Sequence, residues 1–301
     1  MPATRAAPLD PAALIGTRPS VGAALGLATR ALGAAGIDSA RADAEWLLAS
    51  VLGIARTALG LDTRRALQPP DDARYARAVR RRMTREPLQH ILGTQPFRHV
   101  TVRVSGDALV PRPETEALAG WALELLPSPP RRPLVIDAGT GGGCIACAVA
   151  SERPDAEVIA VDLSPAAVAL ARENVVALGL ATRVTVDVSD LFATLGVMQA
   201  DLIVSNPPYL PTGLIDTLAP EVSRYDPRLA LDGGPDGLAV VRRLVRAAPE
   251  RLVSGGALVL ETAGGEQVQA VGALLEAQGF VRVETRADLA GVERFVAARR
   301  S

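Results

Sequence analysis

The chain contains no lysine, and all 32 of its basic residues are arginine. Schiff-base chemistry and phosphate-binding loops of the Walker type both need a lysine, so neither is available to this protein. Its two cysteines, Cys144 and Cys147, are too few for a disulfide framework. They follow a glycine-rich turn one helical turn apart, and we expect them to pack as small apolar residues and to bind no metal.

The chain also has few histidines, no long apolar run and little net charge. His90 and His99 are the two histidines, and we expect both to be structural or interface residues. The uncharged run of residues 138–151 is too short and too rich in glycine to cross a membrane. The chain does not open with a basic region and an apolar core, so we expect no signal peptide and a cytoplasmic protein. A formal net charge of -1 argues against nucleic-acid binding through overall charge.

Sequence patterns divide the chain into three parts. Residues 1–90 contain helical stretches that Ser20 and Ser39 can cap, which predicts a small helical domain. Residues 91–133 form a hairpin and a proline-rich linker. Residues 134–301 alternate apolar strands with helices, which predicts an α/β fold with a seven-stranded, mostly parallel sheet.

The predicted hairpin rests on a period of two between Phe97 and Val104, where side chains alternate in polarity. We expect this strand to pair with Leu109-Val110. A helix opening after Pro111 follows it.

Arginines are concentrated in the helical part. Residues 1–90 carry 13 arginines and 8 acidic residues, whereas residues 91–301 carry 19 and 25. Arg74, Arg77, Arg81 and Arg85 recur at spacings of three and four, so they share one helix face, here called the Arg stripe. Such a stripe is either solvated or a docking surface for an acidic partner or RNA phosphates.

Residues that can carry chemistry follow the predicted strands at their carboxyl ends, where parallel sheets bind ligands. Residues 137–143 form a glycine-rich turn between a strand and a helix. Asp162 can accept both hydroxyls of a ribose. Asp190 can accept from an adenine amino group, with Leu191 or Phe192 against the ring. These features fit an adenosine cofactor, and nicotinamide dinucleotides use a related glycine turn.

The sequence Asn206-Pro207-Pro208-Tyr209 follows the apolar run of residues 201–205 and decides between these cofactors. The prolines make a stiff turn that presents an amide side chain and bare carbonyls. The Asn206 side-chain oxygen and the Pro207 carbonyl can each accept one N–H of a planar amino group, and Tyr209 can stack on that group. A hydride-transfer enzyme has no need of this turn, but a methyltransferase acting on a planar nitrogen does.

These segments resemble the peptide chain release factor glutamine methyltransferases over almost the whole chain. The similar segments are residues 87–93, 109–116, 137–143, 206–209 and 221–238. The Asn-Pro-Pro-Tyr turn is shared with adenine and other amide methyltransferases, so the Pro111-Arg112-Pro113-Glu114-Thr115 stretch discriminates. Two positions depart from the family: Leu191 replaces an aromatic residue beside adenine, and residues 261–265 are irregular.

The resemblance implies methylation of the glutamine side-chain amide in the Gly-Gly-Gln loop of class I release factors. It implies S-adenosylmethionine as the methyl donor, S-adenosylhomocysteine as the product and no metal. It also implies that the helical domain holds the factor. Asn206, Pro207 and Tyr209 are the predicted catalytic residues. The predicted substrate-binding residues are Arg112, Pro113, Glu114, Thr115, Asn206, Pro207, Pro208 and Tyr209. The predicted cofactor-binding residues are Asp137, Gly139, Thr140, Gly141, Gly142, Gly143, Asp162, Asp190, Leu191 and Asn206.

Three alternatives stay open at this point. An adenine methyltransferase acting on nucleic acid would need a basic cleft, which the acidic C-terminal part does not favour. A methyltransferase of a ribosomal protein glutamine would use the same turn. A docking protein with a decayed site would not need the intact Asn206 to Tyr209 segment.

Overall fold

The computed structural model describes residues 18–128 and 131–301. The first 17 residues of the predicted helical domain, and Pro129 and Pro130 of the predicted linker, lie outside these ranges. The described residues form two compact units. The helical unit comprises residues 18–93 and Pro220–Tyr225, and the sheet unit comprises Thr94–Ala219 and Asp226–Ser301.

Of the two predicted caps of the helical unit, Ser20 caps its helix, whereas the Ser39 side chain makes no capping hydrogen bond. The Ser20 hydroxyl accepts from the Ala23 N–H, and Gly53 closes the second helix in the left-handed region that favours glycine. Leu32, Leu47 and Tyr75 are buried together in its core. Its elements are α1 (Val21–Ala34), α2 (Ala40–Leu52), a 3-10 helix (Arg56–Gly60), α3 (Pro69–Met83), α4 (Leu88–Leu92) and, from the later segment, α8 (Pro220–Ser223).

The α8 segment is tied into the helical unit by charge. The Glu221 carboxylate accepts from Arg82 at 2.9 Å and from Arg85 at 2.7 Å. Arg82 also donates to Asp43 at 2.7 Å, with both side chains buried. Tyr225 donates its hydroxyl to the Thr84 carbonyl at 3.0 Å.

The sheet unit contains a seven-stranded sheet in its described residues, with the order β5-β4-β3-β6-β7-β9-β8. β9 lies antiparallel between β7 and β8, and the other neighbours are parallel. The predicted mostly parallel seven-stranded α/β sheet is therefore confirmed. The strands are β3 (Leu134–Ala138), β4 (Glu157–Asp162), β5 (Val184–Val188), β6 (Ala200–Ser205), β7 (Leu252–Glu261), β8 (Phe280–Ala287) and β9 (Glu293–Arg300).

Alternating side chains fill a core on each face of the sheet. Val135 and Leu202 belong to one buried cluster, while Ile136 and Ile203 belong to the other. Burial on both faces explains why the strands read as continuous apolar runs. The covering helices are α5 (Pro113–Leu125), α6 (Cys144–Glu152) and α7 (Pro165–Ala177) with the first cluster, and α10 (Ala239–Ala247) and α11 (Glu266–Ala277) with the second.

The predicted hairpin exists, but its predicted pairing is wrong. β1 (Thr94–Phe97) pairs antiparallel with β2 (Val100–Arg103), and Leu109-Val110 forms no strand. The single strand expected across residues 97–104 breaks because Arg98 turns the chain with a φ of 50°. The alternation holds within residues 100–104, where Val100, Val102 and Val104 are buried, but the two-residue turn interrupts it, so Phe97 is buried three positions before Val100.

The segment after β6 is organised by short helices. It contains a 3-10 helix (Thr212–Thr217), α8 and α9 (Arg228–Leu231). α10 is followed directly by a 3-10 helix (Ala248–Arg251). None of the helices in residues 18–128 and 131–301 is long and apolar enough to span a membrane.

Candidate functional site

A cavity of ≈ 190 Å³ in the sheet unit lies at the carboxyl ends of β3, β4, β5 and β6. Parallel strands bind ligands at this edge, so the position matches the expectation from the sequence. The predicted site residues that line the cavity are Arg112, Thr115, Gly139, Thr140, Gly141, Gly142, Asp162, Asp190, Leu191, Asn206 and Pro208. Pro113, Glu114, Asp137, Gly143, Pro207 and Tyr209 are not part of its wall.

The glycine turn after β3 is shaped to receive a ligand closely. Gly141 and Gly143 have φ values of 54° and 84°, which favour glycine. A Cβ on Gly143 would lie 3.1 Å from the Ala171 Cβ, so the turn packs tightly on α7. The exposed side of the turn therefore consists of backbone, which can approach a cofactor without side chains in between.

Asp137 supports this turn from below. Its Oδ2 accepts from the Thr140 hydroxyl at 2.6 Å and from the Ala146 N–H at 3.0 Å. Complete burial raises the pKa of Asp137 to about 7, against these two hydrogen bonds. Within the described residues its Oδ1 is buried and has no hydrogen-bond partner. An unpartnered buried acceptor beside a glycine turn fits a site that receives a polar ligand.

Asp162 is placed as the sequence predicts for a ribose-binding carboxylate. It ends β4, lines the cavity, and accepts from the Gly141 N–H at 2.8 Å and the Ser164 N–H at 2.9 Å. A carboxylate has about four acceptor positions, so each oxygen can still accept a hydroxyl. The two N–H groups fix its orientation.

The adenine end of the predicted site has a different neighbour than expected. The Asp190 carboxylate is paired with Arg243 at 2.7 Å, and both residues line the cavity. Leu191 lines the cavity with a φ of 50°, whereas Phe192 is buried in the core. Of the two side chains considered for the wall beside adenine, Leu191 lines the cavity and Phe192 does not.

Asn206 stands at the end of β6, in the wall of the cavity. Its Nδ2 donates to the Thr115 Oγ1 at 3.0 Å, and Thr115 donates to the Glu261 Oε2 at 2.9 Å. The Tyr209 hydroxyl donates to the Glu261 Oε1 at 3.2 Å. These residues come from the first turn of α5, the end of β7 and the turn after β6.

Glu261 is the residue of this site that the sequence analysis missed. Only the irregularity of residues 261–265 drew attention to that stretch. Because β7 is parallel to β6, its carboxyl end falls at the same edge of the sheet. Applying the strand-end rule to every predicted strand would have found it. Burial raises the pKa of Glu261 to about 7, although the hydrogen bonds from Thr115 and Tyr209 oppose this.

The stretch of residues 231–237 holds the Asn-Pro-Pro-Tyr turn from outside. Leu210 donates its N–H to the Leu231 carbonyl, and Gly233 donates to the Leu210 carbonyl. Gly237 has a φ of 78°, and a Cβ there would overlap the Tyr209 carbonyl oxygen. These contacts explain why the stretch is rich in glycine and aspartate.

Arg112 is placed at the cavity but is already paired. It donates to Asp226 at 2.6 Å, and the Asp226 side chain is 1% exposed. Burial raises the pKa of Asp226, against the charge of Arg112. Among the predicted substrate-binding residues that follow Arg112, Thr115 is buried, Pro113 is exposed and Glu114 is half-buried.

The two cysteines and His99 lie in different surroundings. Cys147 is buried, Cys144 lines the cavity, and burial raises the pKa of both thiols. His99 is exposed beside Glu152. No group of three possible metal ligands occurs in the part of the chain that the structure describes.

Most of the Arg stripe is engaged inside the helical unit. Arg74 pairs with Asp71, Arg81 with Glu86, and Arg85 with Glu221. These pairs leave less uncompensated positive charge than the sequence alone indicates. Contact with an acidic surface or RNA stays a prediction.

The sheet order, the glycine turn, the carboxylate ending β4 and the Asn-Pro-Pro-Tyr turn together define a methyltransferase that uses S-adenosylmethionine. Comparison with known proteins agrees. Residues 23–93 match the "PrmC N-terminal domain" family, and residues 121–218 match the "Methyltransferase small domain" family. The solved catalytic domain of hMettl16 with an RNA hairpin has a TM-score of 0.56 at 16% identity, covering 79% of this chain and 84% of that one, which supports the fold alone.

Closely related sequences specify the family. The release factor glutamine methyltransferase of Geobacter sulfurreducens is 43% identical, over 88% of this chain and 91% of that protein. That of Deinococcus radiodurans is 46% identical, over 91% and 96%. The chain belongs to the family of release factor glutamine methyltransferases.

Proposed function

We propose that this protein methylates the side-chain amide nitrogen of the glutamine in the Gly-Gly-Gln loop of class I release factors. The observation that carries the proposal is the place of Asn206, in the wall of the same cavity that the glycine turn and Asp162 line. An amide bound at Asn206 would abut the cofactor. The strong likeness to relatives that bear this activity in their names supports the same substrate.

S-adenosylmethionine, when bound, supplies a methyl group on a positively charged sulfur. The backbone of residues 139–142 and the carboxylate of Asp162 are the groups that would hold it, with Leu191 beside the adenine. Asp137 holds the glycine turn through its hydrogen bonds. Asp190, which forms an ion pair with Arg243, lines the same cavity. The proposal involves no bound metal ion.

An amide nitrogen is a poor nucleophile, and its N–H is too weak an acid for a general base near neutral pH. Rate enhancement must therefore come from orientation and electrostatics. In this proposal the Asn206 Oδ1 and the Pro207 carbonyl accept the two N–H groups of the substrate amide. They would hold its plane, and they would stabilise the positive charge that grows on nitrogen. Tyr209 would pack beside the substrate.

The partners follow from this chemistry. We propose that the helical unit binds the release factor and that the reaction takes place in the cytoplasm, where release factors work. Arg74, Arg81 and Arg85 of the Arg stripe are in ion pairs within the described residues, whereas Arg77 is exposed and is in none of these pairs. Arg77 is therefore the member of the stripe best suited to contact an acidic partner.

Label transfer tests the proposal. The purified chain is incubated with methyl-labelled S-adenosylmethionine and, separately, a class I release factor, the same factor with alanine for the loop glutamine, a ribosomal protein mixture and DNA. We expect label in the unmodified factor alone. Label in DNA, or in a ribosomal protein but not the factor, would replace the proposal with one of the alternatives.

The substitution Asn206→Ala should reduce transfer by at least ~1000-fold, because it removes the acceptor on which orientation and charge stabilisation both depend. Affinity for S-adenosylhomocysteine, measured by calorimetry, should change less than about threefold. A large loss of cofactor affinity would contradict the role given to Asn206.

A further inference from the structure

Three residues from distant parts of the sheet unit share one buried hydrogen-bond chain. Asn206 follows β6, Thr115 lies in the first turn of α5, and Glu261 ends β7. The Asn206 Nδ2 lies 3.0 Å from the Thr115 Oγ1, which lies 2.9 Å from the Glu261 Oε2. Thr115 is 3% exposed and Glu261 is 1% exposed, so water does not compete for these groups.

The direction of this chain follows from counting protons. An ionised carboxylate only accepts hydrogen bonds, so the single hydroxyl proton of Thr115 must point at Glu261. The Thr115 oxygen can then only accept from its other neighbour. A carboxamide satisfies it with its NH2 group and not with its oxygen. The side chain of Asn206 is therefore held with Nδ2 toward Thr115 and Oδ1 away from it.

We infer that Thr115 and Glu261 are positioning residues that hold the Asn206 carboxamide in one of its two orientations, with Oδ1 toward the substrate. The orientation stands on the hydrogen bonds alone, whereas its use in methyl transfer rests on the proposed function. Without the relay, a carboxamide could flip by 180° about its last bond and present NH2 to the substrate. Two NH2 groups would then face each other, and the substrate would lose the acceptor that Asn206 supplies.

Tyr209 strengthens the constraint from the other side of Glu261. Its hydroxyl donates to the Glu261 Oε1 at 3.2 Å. Burial, together with the charge of Glu261, raises the pKa of Tyr209, so the phenol stays protonated and remains a donor. Both carboxylate oxygens of Glu261 are thus occupied by hydroxyl protons.

Protonation of Glu261 would relax the relay, because the carboxyl could then donate to Thr115. The groups that interact with Glu261 are Thr115 and Glu114 on α5, Cys144 on α6, Tyr209, and Arg294 on β9. Burial dominates and raises its pKa to about 7, with the charge of Glu114 adding to the rise and that of Arg294 opposing it. The preference for one orientation of the Asn206 carboxamide should therefore weaken as the pH falls below about 7.

The composition of the chain offers a direct readout. Asn174 and Asn206 are its two asparagines, so labelling with ¹⁵N-asparagine yields two side-chain NH2 signals. Asn174 is an internal control, because its NH2 group donates to the carbonyls of Arg103 and Gly142 and does not contact the relay. Spectra are recorded on the full chain with S-adenosylhomocysteine.

We expect Thr115→Val to shift the Asn206 signal and to speed hydrogen exchange of its NH2 at least ~10-fold, while Thr115→Ser retains the wild-type signal. Thr185→Val, at an exposed strand position, is the matched control and should leave both signals unchanged. An Asn206 signal that is the same in the wild type and in Thr115→Val would overturn the inference.

The pH titration needs no change at Thr115 and decides the matter if that substitution perturbs folding. Between pH 8 and pH 6 the Asn206 signal of the wild type should move with a midpoint near 7, and Glu261→Gln should abolish the movement. Asp137 also has a pKa of about 7. A titration that persists in Glu261→Gln would therefore belong to Asp137, and the relay would be refuted.

Kinetics separate this inference from the proposed function. Thr115→Val should lower kcat for release factor methylation roughly 10- to 100-fold, the usual effect of one buried unsatisfied polar group, with KM for the factor within about threefold. Thr115→Ser should restore kcat. If the spectra behave as expected but the wild type methylates no release factor, the relay stands and the proposed function fails. If methylation is normal and the spectra show no coupling, the relay fails.

Discussion

Glu221 in the helical unit and Glu261 in the sheet unit are the same residue in opposite surroundings. Glu221 meets two guanidinium groups, those of Arg82 and Arg85, and its side chain is 19% exposed. Burial alone would raise its pKa, but the hydrogen bonds from the two arginines outweigh burial and lower the pKa to about 2. Glu261 meets two neutral hydroxyls, and burial raises its pKa to about 7.

The difference shows what each unit does with a carboxylate. A charged partner compensates the desolvation of Glu221, so that residue stays ionised and ties α8 to α3. A hydroxyl supplies a hydrogen bond but no opposite charge, so the desolvation of the ionised Glu261 carboxylate is compensated only in part. Glu261 is thus held in place at a cost in stability, as is typical of residues that serve a site.

The largest effect should come from removing the cation shared by Asp43 and Glu221. Arg82→Met should lower the free energy of unfolding of the helical unit by about 3–5 kcal/mol, because it leaves the buried Asp43 carboxylate without a cation and Glu221 with Arg85 alone. The measurement is urea unfolding of the 5-fluorotryptophan-labelled chain, in which Trp46 lies in the helical unit and Trp121 in the sheet unit. Arg77→Met, exposed on the same helix, is the control and should change stability by less than about 0.5 kcal/mol. Equal effects of the two substitutions would contradict the buried network.

Glu261→Gln should reveal a charge that destabilises the sheet unit. Its pKa of about 7 lies above the ordinary value of 4.5, so the folded state binds the proton more tightly. The wild type should therefore gain stability over the variant as the pH falls from about 7.5 to 4.5, by up to about 3 kcal/mol. The Trp121 fluorine signal in urea follows this difference. Glu276→Gln is the matched exposed control, and a flat difference would refute the raised pKa.

Glu221→Gln should show the opposite sign. A pKa lowered to about 2 adds stability that is present above about pH 4.5 and is lost as the pH falls toward 2. Solvent screens this partly exposed pair, so we expect about 1–2 kcal/mol at neutral pH. The Trp46 signal reports it. Matching pH trends for Glu221 and Glu261 would remove the distinction between the two units.

The smallest change sharpens the comparison at Glu261 itself. Tyr209→Phe removes one of its two hydroxyl donors, and that hydrogen bond lowers its pKa. The pKa of Glu261 should therefore rise further by roughly 0.5–1 unit, the equivalent of one hydrogen bond. The ¹⁵N titration of the Asn206 NH2 measures this rise. An unchanged midpoint would show that Tyr209 does not contribute.

Residues that carry the cofactor site were predictable because each is local to a strand end. The glycine turn after β3, Asp162 after β4 and Asn206 after β6 all combine an apolar run with an unusual polar residue. Topology brings such residues to one edge whatever the details of packing. The hairpin partner was not predictable in this way, because alternation across residues 97–103 is compatible with one strand or with two joined by a tight turn.

Long-range partners could not be read from the sequence. Thr115 and Glu261 are separated by 146 positions, and Arg112 and Asp226 by 114. The sequence predicts Thr115 to be a substrate-binding residue, and its hydrogen bonds to Asn206 and Glu261 indicate a further role. Asn174, which binds the backbone of Arg103 and Gly142 from α7, likewise carries no local signal of its contacts.

The sequence by itself determined the alternation of strands and helices, the stiff turn at Asn206 and the backbone-lined glycine turn, because proline, glycine and apolar periodicity act over a few residues. Only the tertiary structure decided which carboxylates meet arginines and which meet hydroxyls. Charge compensation and burial depend on neighbours that are far apart in the chain, so the pKa of Glu221 and Glu261 and the direction of the Asn206 carboxamide exist only in the folded protein.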